Sequence, residues 1–373
     1  MAQSSHRDDF FQTTTSLQET RRKAEKSSNT EGNPIKLQSK LLAIAPDPRS
    51  PGAVYVAESA GLLRKVVLET GKTTALYKGP TAPLTSICFS PDGATVFAGC
   101  WDKTIWSWDV ASRTPKQKYQ GHTDFVKTLI SVRIGNDDLL VSGGADADII
   151  VWNIHTGERL HVFQDYIRGV LDLAIDPMIS DEDPAQITVF SSSSDRSIRR
   201  FRLSSPLKEQ TQSDPILEHE TSVNKLFFDA DGDLWTASSD KTAKCLSRES
   251  KWKADTTLQH PDFVRDVVVH EQGGWVVTAC RDEEVRVWNR ATEKLHHTYS
   301  GHFEEVTGLL LVGATVVSIS IDATIRQWSL DQAQLEVAKA KAEGSLQEEE
   351  VKNPQEALTE EEERELAELM GDD

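Results

Sequence analysis

Apolar and polar residues alternate in short runs from about residue 35 to residue 330, with turn-forming residues between the runs. One stretch carries the whole pattern. Leu84 to Phe89 reads as a strand, Ser90-Pro91-Asp92-Gly93 as a tight turn, and Thr95 to Cys100 as a second strand. Asp102-Lys103 makes the next turn, Ile105 to Asp109 a third strand, and Lys116 to Tyr119 a fourth. The two ends of the chain lack this alternation. Residues 1–33 form a polar arm, expected to be flexible, and residues 331–373 an acidic tail without an aromatic residue. In that tail DQAQLEVAKAKAEG is rich in strong helix formers, so a helix is expected from Leu330 to Glu343, begun at Ser329 and stopped at Gly344. Further on, Thr359 and Glu362 have capping-box spacing, and Leu366, Leu369 and Met370 share one helical face. So short a helix is marginal alone. It reads as a motif that docks in a partner's apolar groove or, equally, as a solubilising tail.

The region between the ends repeats. Six segments align on Asp102, Asp146, Asp195, Asp240, Asp282 and Asp322, spaced by 44, 49, 45, 42 and 40 residues. A weaker copy, AVYVAESAGLLRKVVL, precedes them with Ala60-Gly61 in the Asp position. A period of this length, with several short strands per unit, points to propeller blades. Most units also carry a Ser or Thr four residues before the Asp and an aromatic ring six after it. Gly121-His122 and Gly301-His302 precede two of them, and His219 and His260 fill the same slot without the Gly. On these residues the chain resembles the WD-repeat family. The resemblance implies an all-β fold, a single seven-bladed β-propeller of four-stranded blades over residues 34–330. It also implies a hydrogen-bonded network in each blade. Three sets are complete: His122, Ser142, Asp146 and Trp152; His260, Thr278, Asp282 and Trp288; His302, Ser318, Asp322 and Trp328. The unit of His219, Thr236 and Asp240 has Leu246 instead of Trp, and blades 1, 2 and 4 lack members, so they are expected to be the least rigid. Ser or Thr, His and Asp also make hydrolase triads, but a catalytic set would occur once, and no GxSxG surrounds these serines.

The last blade has no outer strand after Thr324 to Ser329. An open ring would leave an unpaired edge, so Ile35 to Gln38 is expected to pair with the strand of Ile325 and Trp328, leaving residues 1–30 dispensable.

Charge narrows the function. Lys and Arg number 41 against 59 Asp and Glu, a net of −18, and more than half of it lies after residue 331. Such a chain is unsuited to direct nucleic-acid binding or to an anionic membrane, both of which need clustered cations. The first 20 residues hold no apolar run that would read as a signal peptide, and no stretch is long enough to span a membrane. Cys88, Cys100, Cys245 and Cys280 are scattered without a CxxC pair, which suits a reducing compartment, so the expected location is cytoplasmic, nuclear or both. There is no phosphate-binding loop, dinucleotide fingerprint or HExxH, so no catalysis, cofactor or metal is expected.

In the family the chain resembles, the loops leading into the inner strands and the turns after the second strands meet on one face. Alignment places Trp101, Phe125, Lys127, Tyr166, Arg168, Phe263, Arg265 and Arg281 there. Aromatic residues and Arg are favoured interface anchors, and a cationic rim on an acidic protein suits an acidic or phosphorylated peptide. Two insertions, Asp176 to Gln186 and Ser204 to Glu218, belong to the opposite face, and Arg21-Arg22-Lys23 reads as solvated charge or an import signal. The expected function is that of a non-catalytic scaffold or adaptor subunit, monomeric within an intracellular complex, with proteins or peptides as partners. Two alternatives stand beside it: an escort chaperone for a basic client such as a ribosomal protein or histone, and a non-catalytic regulatory subunit of an enzyme.

Overall fold

Second strands lie between two neighbours and are apolar along their length, so Ala53–Glu58, Thr95–Cys100 and Trp275–Cys280 are buried at every position. Outer strands have one side in water, and Lys253–Gln259 is exposed at every second residue. In the computed structural model, which describes residues 21–24, 26–164, 166–178, 186–204 and 214–352, the strands form seven antiparallel sheets, six of them four-stranded. Their inner strands, blades 1 to 7, are Leu41–Pro46, Leu84–Phe89, Val126–Ile134, Val170–Ile175, Val223–Phe228, Val264–His270 and Val306–Val312. Each packs against the next, and the seventh packs against the first. The result is the expected seven-bladed propeller.

The same irregularity recurs at the head of all seven inner strands. Each has a β-bulge after its first residue, as between Val126 and Thr128 or Val264 and Asp266. A bulge re-aims one side chain. In blades 2, 5 and 7 that side chain is Thr85, Asn224 or Thr307, and it donates to the first inner carbonyl of the next blade, Val126, Val264 or Leu41, at 2.5, 2.7 and 2.9 Å. In blades 3 and 6 it is a cation, Lys127 or Arg265.

Ring closure is as expected, on a short ladder. Ile35–Lys36 pairs with Thr324–Ser329, Ile35 opposite Ile325 and Lys36 opposite Thr324. Backbone N–H groups of Leu37 and Gln327 extend it, donating to Ala323 and Gly32 at 2.8 Å each. Ile35 and Leu37 pack on Leu41, Val317, Ile319 and Ile325. Blade 4 departs from the four-strand expectation. Among the described residues its outer position is held by a single bridge between Ile198 and Ile216, beside Pro215, which has no N–H to lengthen the ladder. Most of both blade 4 insertions lies outside the described residues.

Residues 331–373 form a unit of their own. Its helix, Gln332–Lys352, is longer than expected. Asp331, not Ser329, caps it, accepting the Gln334 N–H at 3.2 Å. Gly344 lies within the helix, its cost of about 1 kcal/mol offset by the strong helix formers around it. Leu366, Leu369 and Met370 lie outside the described residues. No described helix is long and apolar enough to cross a membrane.

Candidate partner-binding face

Most of the recurring polar side chains are consumed by the fold. In blade 3 the His122 Nδ1–H donates to Asp146 at 3.0 Å, the Ser142 hydroxyl donates to His122 Nε2 at 2.7 Å, and the Trp152 indole donates to Ser142 at 2.9 Å. A carboxylate only accepts, which fixes the proton on Nδ1 and makes Nε2 the acceptor. Blade 7 repeats this with His302, Asp322, Ser318 and Trp328 at 2.9, 2.8 and 2.8 Å. Burial opposes the charges on Asp146 and Asp322. The histidine bonds and charge, together with backbone N–H donors and, for Asp322, the Thr324 hydroxyl, outweigh it and hold both carboxyls below the usual range. Blade 5 keeps His219 on Asp240 at 2.8 Å and on Thr236 at 2.7 Å.

Blade 6 corrects the sequence reading. Thr278 holds His260 at 2.8 Å and Trp288 at 2.9 Å, but Asp282 is outside the network. Arg286 takes that carboxylate with two bonds of 3.1 and 2.6 Å, and His260 Nδ1 donates to the Leu258 carbonyl at 3.1 Å. Burial first, and then the Arg286 charge, push the His260 pKa down to about 4.

The blades expected to lack a network have substitutes that the repeat pattern hides. In blade 1 the buried Glu58 accepts from Arg64 and Ser39, both at 2.5 Å. In blade 2 the Trp106 indole donates to Asp102 at 2.9 Å, while Trp108, with Ala98 where a hydroxyl would stand, donates to the Lys78 carbonyl. In blade 4 Tyr166 stands in for the histidine, its hydroxyl 2.6 Å from that of Ser191. The Tyr166 hydroxyl is therefore tied to its own blade rather than free for a partner.

The first inner residue pairs with the last residue of the second strand, Val126 with Gly144 and Val264 with Cys280. Loops leading into inner strands and turns after second strands thus share one end of each blade. Over blades 2 and 3 this end carries a stacked pair, Trp101 on Phe125, with centroids 4.9 Å apart and planes 14° apart. Trp101 remains 40% exposed. Lys127, re-aimed by its bulge, lies 5.9 Å from each ring. Burial, opposed by Asp124 and aided by Arg265, lowers its pKa, and no hydrogen bond or ion pair holds its ammonium among the described residues. Arg168 is likewise exposed without a partner for its guanidinium among those residues, next to Ile167 at 87% exposure.

Over blade 6 the expected cations are already engaged. Arg281 covers Phe263 at 4.4 Å and pairs with Asp262 at 2.9 Å, and Arg265 pairs with Glu305. The arm is engaged as well. Arg22 pairs with Glu283 at 2.7 Å, Lys23 with Glu304 at 2.7 Å, and Lys26 with Glu283 and Glu284 at 2.9 and 3.0 Å. The fully buried Arg326 donates to the carbonyls of Glu31 and Asn29. The described residues from Arg21 on are thus tied to the propeller by ion pairs and hydrogen bonds, and Asn29 and Glu31 hold Arg326 through their carbonyls.

Comparison with known proteins agrees with this architecture. The family model for the WD domain, G-beta repeat, matches residues 71–109, 113–153 and 252–289. An uncharacterized WD repeat-containing protein of Schizosaccharomyces pombe is 33% identical over 97% of this chain and 98% of its own length. The non-catalytic subunit of a tRNA (guanine-N(7)-)-methyltransferase from Danio rerio is 27% identical over 54% of this chain and 51% of that protein. Human striatin-3 is 24% identical over 68% of this chain and 28% of its own.

Proposed function

The chain belongs to the WD-repeat family, and from that premise we propose that it is a non-catalytic scaffold or adaptor subunit that holds a protein partner on the open, blade 2 to 4 part of its loop face. WD-repeat proteins generally act as interaction scaffolds, and the Danio rerio relative is by its name a non-catalytic subunit. The observation that carries the reading is the Trp101–Phe125 stack with the Lys127 ammonium beside it, unpaired among the described residues. An exposed ring on a rigid base and a cation with no ion-pair partner among the described residues suit an apolar residue next to a carboxylate or phosphate on the protein partner. Arg265 and Arg281, occupied by Glu305 and Asp262, support this less than their sequence positions implied. The complex would be intracellular, cytoplasmic or nuclear, with one copy of the chain and no direct nucleic-acid contact.

The test is affinity purification with mass spectrometry on wild type and on Trp101→Ala/Lys127→Ala. A chain ending at residue 344 serves as a third bait, separating the tail's partners from those of the face. The double variant should keep its melting temperature and lose a defined set of partners. An unchanged partner set would refute the face.

A further inference from the structure

The face has a second half, and the chain itself fills it. Residues 21–24 and 26–27 are helical, and they present Arg22, Lys23 and Lys26 to three glutamates of blades 6 and 7. Glu283 sits in the turn after the second strand of blade 6 at a φ of 79°, and its side chain is largely buried. Glu284 opens the third strand of that blade, and Glu304 lies in the loop leading into blade 7. Together they form an acidic shelf with a peptide seated on it. Burial works against the charge on Lys26, but Glu283 and Glu284 more than offset it and raise its pKa.

The root and the tip of the arm are held by different forces. Its root, residues 32–37, is held by backbone pairing and by apolar packing of Ile35, with Gly32 against Trp328. The tip has no buried residue among those described, and its recorded grip on the shelf is ionic. Partly exposed ion pairs are individually weak and are screened by salt, and so short a helix has little stability of its own. Glu283, however, cannot simply be left without a cation, because an uncompensated buried carboxylate is costly. The tip is therefore better suited to exchange than to release.

We infer that the Glu283–Glu284–Glu304 shelf is an interaction surface for a basic peptide segment of a partner, with cations spaced as in Arg22, Lys23 and Lys26, and that the helical residues 21–24 and 26–27 are its displaceable resident. The inference stands apart from the proposal for blades 2 to 4. A net charge of −18 would draw such a segment in from a distance, and an incoming cation would replace each one displaced.

The test uses the full chain and a labelled synthetic peptide of residues 19–28, ETRRKAEKSS, with an acidic control in which its Arg and Lys are replaced by Glu. Fluorescence anisotropy compares wild type, an opened variant (Arg22→Ala/Lys23→Ala/Lys26→Ala) and a shelf-neutral variant carrying Glu284→Gln and Glu304→Gln on the opened background, which spares buried Glu283. The opened variant should bind the basic peptide about tenfold or more tighter than wild type, and lose it as salt rises from about 0.05 to about 0.5 M. The shelf-neutral variant should bind much more weakly at matched melting temperature. Equal binding by wild type and the opened variant would show that the tip guards nothing. Undiminished binding by the shelf-neutral variant would place the peptide elsewhere, on the acidic tail for instance, and either result overturns the inference. Loss of partners on Trp101→Ala/Lys127→Ala would leave it untouched.

Discussion

Blades 6 and 7 carry the same residue types at five positions. Each has a His, a Ser or Thr, an Asp, a Trp, and an Arg four residues after the Asp, Arg286 in one and Arg326 in the other. They do not form the same network. In blade 7 Arg326 spends its donors on the carbonyls of Asn29 and Glu31, which leaves Asp322 to His302. In blade 6 Arg286 takes Asp282 and leaves His260 to a carbonyl. The residue four after the Asp decides the outcome elsewhere too. Ile150 cannot compete for Asp146, and Lys244 is drawn off by the Glu218 carbonyl at 2.6 Å, so His122 and His219 keep their carboxylates. A network is settled by the competitor of its carboxylate as much as by its own members.

The largest effect should come from the element that makes blade 7 different. Removing residues 1–39 deletes the closing strand and should cause aggregation or a large loss of melting temperature, whereas removing 1–20 should do little. Between them, removing 1–31 deletes the two carbonyls that occupy Arg326. Arg326 should then swing to Asp322, blade 7 should come to resemble blade 6, and the nitrogen chemical shifts of His302 should report the loss of its carboxylate. Unchanged His302 signals in a folded 1–31 deletion would break the comparison.

Next in size is Asp322→Ala, expected to destabilise by about 2–4 kcal/mol because buried His302 and Thr324 lose their acceptor. Asp282→Ala should cost less, since His260 does not depend on it and the loss falls on the Arg286 ion pair instead. Thermal or denaturant melts that ranked the two equally would mean the competition has no energetic weight.

Acid sharpens the contrast. The folded pKa of His260, about 4, is below the ordinary 6.5, so the unfolded chain takes up a proton that the folded protein refuses. This contribution to stability is complete above about pH 6.5 and is lost as pH falls toward 4, by at most about 3 kcal/mol. The smallest change in stability is expected for Arg286→Ile, which copies Ile150. It frees Asp282 and removes the neighbouring charge, so an NMR titration should show the His260 pKa rising toward its ordinary value. A value that stayed near 4 would assign the depression to burial alone.

The propeller and its closure were legible because a ring of equal blades writes its period into the chain, from Asp102 to Asp322, and because helix formers after Ser329 left a strand to be supplied by Ile35. The loop face was half legible. Alignment found the positions of Trp101, Phe125 and Lys127, yet it could not tell Lys127, unpaired among the described residues, from Arg265, whose counter-ion is Glu305 in the next blade. Tyr166 looked like an anchor because its partner, Ser191, is 25 residues away. The seating of Arg22 and Lys26 on Glu283 spans more than 250 residues and repeats nowhere, so no periodic signal could disclose it.

The closing strand also sets a schedule. Asn29 and Arg326 stand 297 residues apart, so at roughly 5–20 residues per second the first end of the chain leaves the ribosome some tens of seconds before its counterpart is made. Through that interval six blades can assemble while the gap between first and last stays open, and the Thr324–Ser329 edge, once it emerges, accepts whichever Ile35–Lys36 strand arrives first. On a crowded polysome that strand can belong to a neighbouring chain, so the same short ladder that seals the monomer is where exchange between chains during translation would begin.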